Sequence, residues 1–246
     1  MSGTSTQPMM SLAGKRVVVI GGSSGIGFAV AAQALGLGAE AVIASSDAGR
    51  VQAAAARLPG ATGKAVNLRD EAGVAAFFTG LGDFDHLVLT AGDWGTSMFA
   101  PARDVDLELM RDGFTVRFWG ALAAVKHACR TIAADGSITL TGGVMSQRPA
   151  KGMPLATAIG GAIEHLAKGL AIDLAPVRVN AVSPGLVLTE VIRQFMPEER
   201  RQGFVAGLPL PRCATPDEAA AAYIYLMLNG YITGQILPVD GGGGLV

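Results

Sequence analysis

The sequence predicts an α/β fold: a single-domain, doubly wound parallel sheet of about seven strands with helices on both faces. Three observations carry that prediction. Short β-branched runs alternate with longer Ala-, Leu- and Gly-rich segments along the chain. The runs are apolar almost throughout, as strands covered on both faces must be. The first run leads through a glycine-rich turn into a helix.

Residues 15–20 form the first predicted strand and residues 25–37 the first helix. A second strand is predicted over 40–44. A helix over 47–58 follows, with Asp47 as its N-cap and Pro59-Gly60 as its stop. Strands follow at 64–66, 86–90, 137–141, 177–182 and 235–239. Helices are predicted at 70–79, 105–134 with a break near Gly113, 155–174 and 216–228. No repeat or linker divides the chain, so 1–246 reads as one domain, with 1–13 a flexible tail. The segment 188–213 holds Pro197, Pro209, Pro211 and a mixed-charge run over 198–201. The run reads as a solvated helical face, and the segment's place after a strand end suits a lid over a pocket.

The chain has 246 residues, 50% of them hydrophobic and 16% charged, with a formal net charge of −1. That charge offers nucleic acid no electrostatic footprint. No apolar stretch reaches the ~20 residues of a membrane span, and the first 14 residues lack the basic and apolar regions of a signal peptide. Two cysteines, Cys129 and Cys213, make no disulfide framework. No His/Cys cluster has metal-ligand spacing, so no metal is expected. A cytoplasmic protein is the expectation. So many apolar residues with so few charges point to buried subunit interfaces and hence a homo-oligomer.

The turn Ile20-Gly21-Gly22-Ser23-Ser24-Gly25-Ile26-Gly27 joins the first strand to the first helix. Backbone N–H groups converge at such a helix start, and its dipole favours a diphosphate. A plain tight turn is the bland alternative. The turn's place after the first strand of an alternating chain favours a dinucleotide site, and it lacks the Lys-Ser/Thr ending of a mononucleotide loop.

With these residues the sequence resembles the short-chain dehydrogenase/reductase family. Gly21-x-x-x-Gly25-Ile26-Gly27 is that family's form of the turn. Asn67-Leu68 stands where an Asp-hydrophobic pair usually meets adenine, and Thr90-Ala91-Gly92 where Asn-Ala-Gly ends the fourth strand. The stretch 178–189 matches the segment that wraps the nicotinamide, and 232–242 the usual last strand. The resemblance covers residues 12–243 and implies a Rossmann fold. It implies cofactor contacts at Gly21, Ser23, Ser24, Gly25, Ile26, Gly27, Ser45, Ser46, Asn67, Leu68, Thr90, Ala91, Gly92, Pro184, Gly185, Val187 and Thr189. An acid ending the second strand would hold a free ribose 2′-OH. Here Ser45-Ser46 stands there and Arg50 follows one turn on, so NADP(H) is favoured over NAD(H).

Family members usually carry a Ser, a Tyr, a Lys four residues after it and an Asn in the active site. By alignment these positions hold Gly143, Ala156, Gly160 and Arg117. The three tyrosines, Tyr223, Tyr225 and Tyr231, come too late in the chain to replace the family's acid. Three readings follow. The chain is an oxidoreductase with a changed proton path, a catalytically inactive dinucleotide-binding sensor or partner subunit, or a nucleotide-free relic. The first is preferred because hydride geometry comes from cofactor and fold, whereas the acid is more replaceable. The reaction would then be hydride transfer to or from a small carbonyl, imine or activated alkene.

Two residues are candidate substitutes. Arg117 would stabilise an oxyanion as a fixed cation, its alternative being an ordinary ion pair. Asp93, after Gly92, would be a general acid or Arg117's partner, its alternative being a turn former. Ser146, Gln147, Arg148 and Trp94 read as loop or packing residues that could reach substrate, and Lys151 as a solvated lysine. The histidines are poorly placed. His165 lies about 180° round its helix from Ala156, His127 reads as a surface or interface residue, and His86 starts a strand at the end away from the ligand.

Overall fold

A computed structural model describes residues 10–92 and 100–246, except the side chains of Leu109 and Met110. Its core is one parallel sheet in the order β3-β2-β1-β4-β5-β6-β7. The strands are β1 Arg16–Ile20, β2 Glu40–Ser45, β3 Ala61–Ala65, β4 Phe84–Leu89, β5 Ile132–Thr141, β6 Arg178–Pro184 and β7 Ile236–Val239. The helices are α1 Gly25–Gly36, α2 Ala48–Ala56, α3 Glu71–Thr79, α4 Leu107–Phe114, α5 Ala121–Ala128, α6 Pro154–Asp173, α7 Glu190–Phe195, α8 Glu198–Val205 and α9 Pro216–Leu228. The predicted doubly wound sheet is therefore present. Chain order turns back beside β1, which opens a crevice between the carboxyl ends of β1 and β4.

Alternation along the strands builds two cores. Val18 and Ile20 of β1 face α3, α5 and α6, whereas Val17 and Val19 face α1, α2 and α9. Burying each such side chain contributes roughly 1.5–3 kcal/mol. Local sequence sets the helix starts. Asp47 accepts the Arg50 N–H at 2.8 Å and Asp70 the Ala72 N–H at 3.1 Å. Thr215 and Glu218 make a reciprocal capping box on α9, with Pro216 in its first turn.

Several expectations are corrected. The helix expected over 105–134 is α4, a π-helical segment Thr115–Gly120 and α5. It ends at Ala128 because β5 begins at Ile132, well before the expected 137. β3 begins at Ala61, directly after the Pro59-Gly60 stop, so the strand expected at 64–66 starts three residues earlier and ends at Ala65. Leu12 is buried and its N–H donates to the Leu37 carbonyl at 2.9 Å, so a free tail cannot extend to residue 13. Arg201, within the run expected to be solvated, is buried and donates to the Met196 carbonyl. His127 is buried rather than a surface residue, with Nε2 3.4 Å from Glu71.

His86 sits opposite Ser137 in the β4–β5 register, with its Nδ1 2.9 Å from the Ser137 hydroxyl. Burial is the main cause that pulls its pKa from 6.5 to about 4. The folded state thus resists a proton that the unfolded chain accepts. The resulting stability is complete above pH 6.5 and lost as pH falls toward 4. The expected loss is on the order of 3 kcal/mol, read from urea midpoints across that window. His86→Gln should flatten the slope, and an unchanged slope in that variant would assign the effect to other groups.

Candidate functional site

The crevice is a cavity of about 360 Å³ at the carboxyl edge of the sheet. One wall is the turn between β1 and α1. Gly21 adopts φ +96°, a left-handed conformation that glycine tolerates, and its N–H donates to the Ala44 carbonyl at 2.8 Å. A Cβ at Gly27 would strike the Gly21 carbonyl oxygen and lie 2.5 Å from the Thr90 hydroxyl. Both Thr90 and Ala91 donate their N–H groups to the Ile20 carbonyl, at 2.9 and 3.1 Å. The end of β4 is thus tied to the turn. Helix α1 begins at Ser24 with no side-chain cap and no acidic residue in its first turn. Its first N–H groups and dipole are left for an anion.

At one end, Ser45, Ser46, Arg50, Asn67, Leu68 and Arg69 line the cavity. The Asp47 carboxylate is engaged as the α2 cap and is not part of the lining. Arg69 makes a bidentate pair with Asp112 of α4. Sequence reasoning missed Arg69 because its partner comes from a distant helix.

At the other end, the π-helical segment presents Arg117, whose guanidinium packs against the Gly92 backbone. Gly143, Ala156 and Gly160 line the same space. Thr141 also lines it and donates to the Leu89 carbonyl at 2.7 Å. Its single proton being used there, it accepts from the Tyr223 hydroxyl, also at 2.7 Å. Burial holds the Tyr223 phenol well above its ordinary pKa, against smaller opposing effects of Thr141 and Arg117. Tyr223 is therefore a poor proton source. Behind the wall, buried Glu164 accepts from the Ser146 hydroxyl at 2.6 Å and approaches Gly142. Glu164 was also missed, because its burial depends on glycines of another element.

Every residue expected at a cofactor contact lines this one cavity except Gly25, which lies beneath Thr189 at the start of α1. Asp93 and Trp94 lie outside the described residues. His165 and Lys151 are exposed, and Ser146 sits one layer behind the lining. The remaining wall comes from Met145, Met153, Leu186, Ile192, Met196 and Phe204. The last three belong to the segment 188–213. Among the described lining residues there is no Asp, Glu, His, Lys or Tyr. No described residues form a cluster that could hold a metal, and no described helix is long and apolar enough to cross a membrane.

Glycine substitutions should separate the fixed parts of the wall from the movable ones. Gly27→Ala meets backbone and should destabilise by about 1–3 kcal/mol. Gly92→Ala meets only the flexible end of Arg117, and should cost less than about 1 kcal/mol while displacing the guanidinium. Melting curves of the two variants check this, and equal losses would contradict the geometry.

Residues 20–243 match the family described as enoyl-(acyl carrier protein) reductase. A short-chain dehydrogenase/reductase of Acremonium sp, ucsE, is 35% identical over 93% of this chain and 94% of its own length. A small-chain dehydrogenase solved in complex with NADPH superposes with a TM-score of 0.82 at 35% identity, covering 94% of this chain and 99% of that one. MalC reductase/Diels-Alderase from Malbranchea aurantiaca gives 0.90 at 31% identity, covering 98% and 100%. With its sheet order, its glycine turn and these relatives, the chain belongs to the short-chain dehydrogenase/reductase family of oxidoreductases.

Proposed function

We propose that this protein is an NADP(H)-dependent oxidoreductase with a non-standard active site, acting on a small carbonyl, imine or activated alkene. The observation that carries the reading is the cavity itself. The uncapped start of α1, the close approach at Gly27 and the adenosine-end residues meet on one cavity, which fits a dinucleotide. A relative solved with NADPH supports it. The preference for a 2′-phosphate rests on Ser45, Ser46 and Arg50 in the lining, with Asp47 withdrawn as a cap.

A bound nicotinamide dinucleotide supplies or accepts the hydride. The chain's part is to bind, orient and balance charge. The turn over 21–27 would hold the diphosphate, and the 184–189 segment, which approaches that turn through Thr189 and Gly25, would hold the nicotinamide end. As the substrate carbon gains a hydride, its π pair moves to oxygen, to nitrogen or to the adjacent carbon of an alkene. Arg117 is placed to hold that negative charge, but its guanidinium does not give up a proton. With no acid in the described lining, water completes the reduction, or Asp93 does so as the proposed general acid or partner of Arg117. Substrates needing little external acid suit this arrangement. The segment 188–213 serves as the lid. We place the protein in the cytoplasm, and we read it as a homo-oligomer, which the exposed Trp119 and Ile172 on the helical segments that carry Arg117 and Ala156 support.

Calorimetry with NADPH and NADH tests the reading, together with absorbance assays on ketones, imines and enones. Arg50→Ala should weaken NADPH about tenfold or more and leave NADH unchanged, and Ser46→Asp should reverse the preference. Arg117→Ala should lower kcat by roughly 10²-fold or more. No heat with either nucleotide would overturn the proposal. Saturable binding without turnover would leave the inactive dinucleotide-binding protein as the reading.

A further inference from the structure

Beyond the cofactor, the cavity wall carries chemical information about what else enters. Besides the glycine turn and the residues at the Arg50 end, the cavity lining includes Met145, Met153, Leu186, Ile192, Met196 and Phe204. Three of the six are methionines, unbranched and polarizable, which adapt to bulky and irregular apolar shapes. Polar partners there are few. Among the described residues of that half, Arg117 is the one charged side chain. The Thr141 hydroxyl is already engaged on both sides, donating to Leu89 and accepting from Tyr223. Ser146 and Glu164 lie behind the wall and bond to each other.

From this wall we infer that the substrate is an apolar, hydroxyl-poor ring or branched chain presenting one oxygen-bearing polar group to Arg117. A polyhydroxylated substrate is disfavoured by the same accounting of the described lining residues. Each hydroxyl brought into such a wall without a partner forfeits its hydration and costs roughly tenfold or more in affinity. A body of rings or methylenes loses nothing on leaving water, and the wall gains contact with it. Arg117 then fixes orientation, because among the described residues of that half it is the charged partner that a carboxylate or polarised carbonyl would meet. The inference rests on the cofactor reading above, since the bound dinucleotide closes the other side of the space.

The test uses the full chain saturated with NADP⁺ and two carboxylate probes of contrasting character, trans-cinnamate and gluconate. Calorimetry should show cinnamate binding the complex at least about tenfold more tightly than gluconate. Phe204→Asp and Ile192→Asn should each weaken cinnamate about tenfold or more. NADP⁺ binding by the same variants reports their folding. Should Phe204→Asp fail that control, Ile192→Asn decides. Gluconate binding as tightly as cinnamate, no binding of cinnamate to the complex, or unchanged affinity in folded variants would each overturn the inference. Absence of NADP⁺ binding in the wild-type protein would instead overturn the cofactor reading, so the two failures are distinct.

Discussion

The site depends on one close approach, the packing of the Gly21–Gly27 turn against the end of β4. Thr90 and Ala91 both donate to the Ile20 carbonyl, and the Thr90 hydroxyl occupies space that a Cβ at Gly27 would need. Two glycines let backbone take the place of side chain, so strand, turn and helix meet without a gap. The consequence is electrostatic as much as steric. Because α1 begins there without a cap or an acidic residue, its N–H groups and dipole face the crevice. The same contact sets the position of Gly92 and so the seat of the Arg117 guanidinium. Phosphate recognition and the charged end of the site are thus fixed by a single piece of backbone.

The cavity is asymmetric in composition. Its three arginines are Arg50, Arg69 and Arg117, and no carboxylate lies among the described lining residues. Arg69 is restrained by Asp112, whereas Arg50 and Arg117 stand at opposite ends. An extended, negatively charged dinucleotide suits such a wall, and a charge developing near Arg117 meets a cation already in place. Among the described lining residues no carboxylate competes with an anionic ligand for these cations. The apolar wall beyond Arg117 lowers the local dielectric and strengthens its field further.

Much of the fold was legible because its signals are local. The Asp47 cap and the glycine turn each act within a few residues, and each lies where the sequence places it. The errors fall where tertiary contacts decide. A break is predicted near Gly113, but the π-helical segment at 115–120 that follows it has no local signal. β5 begins early because Ile132 pairs with Phe84 on the neighbouring strand, which no local pattern reveals. His127 and Arg201 look like surface residues by type, and both are buried against partners from other turns or helices. In the site, the cofactor-side residues follow a contiguous pattern and converge on one cavity. Glu164 and Arg69 do not, since each takes its meaning from a residue far away in sequence.

The glycines at the reacting end and the buried carboxylate behind them belong together. Gly142 lies close to Glu164, and a Cβ at Gly160 would come within 3.2 Å of the Ser146 Cβ. The Ser146 hydroxyl reaches both the Gly143 carbonyl at 2.8 Å and Glu164 at 2.6 Å. Larger side chains at 142 or 160 would press on this pair, so the thin wall and the buried pair require each other. On the proposed reading, the departure from the family's usual residue at 160 is therefore tied to this packing, whereas a Cβ at Gly143 would meet open space. Space, rather than a hydroxyl or an ammonium, then borders the reacting centre. Adding a single tyrosine at 156 would place a phenol there without the cation that normally acidifies it. Adding a lysine at 160 would first have to displace Ser146. Proton supply in such a site has to be coupled to the substrate's own chemistry, which is why the character of the apolar wall and of Arg117 decides what this protein can act upon.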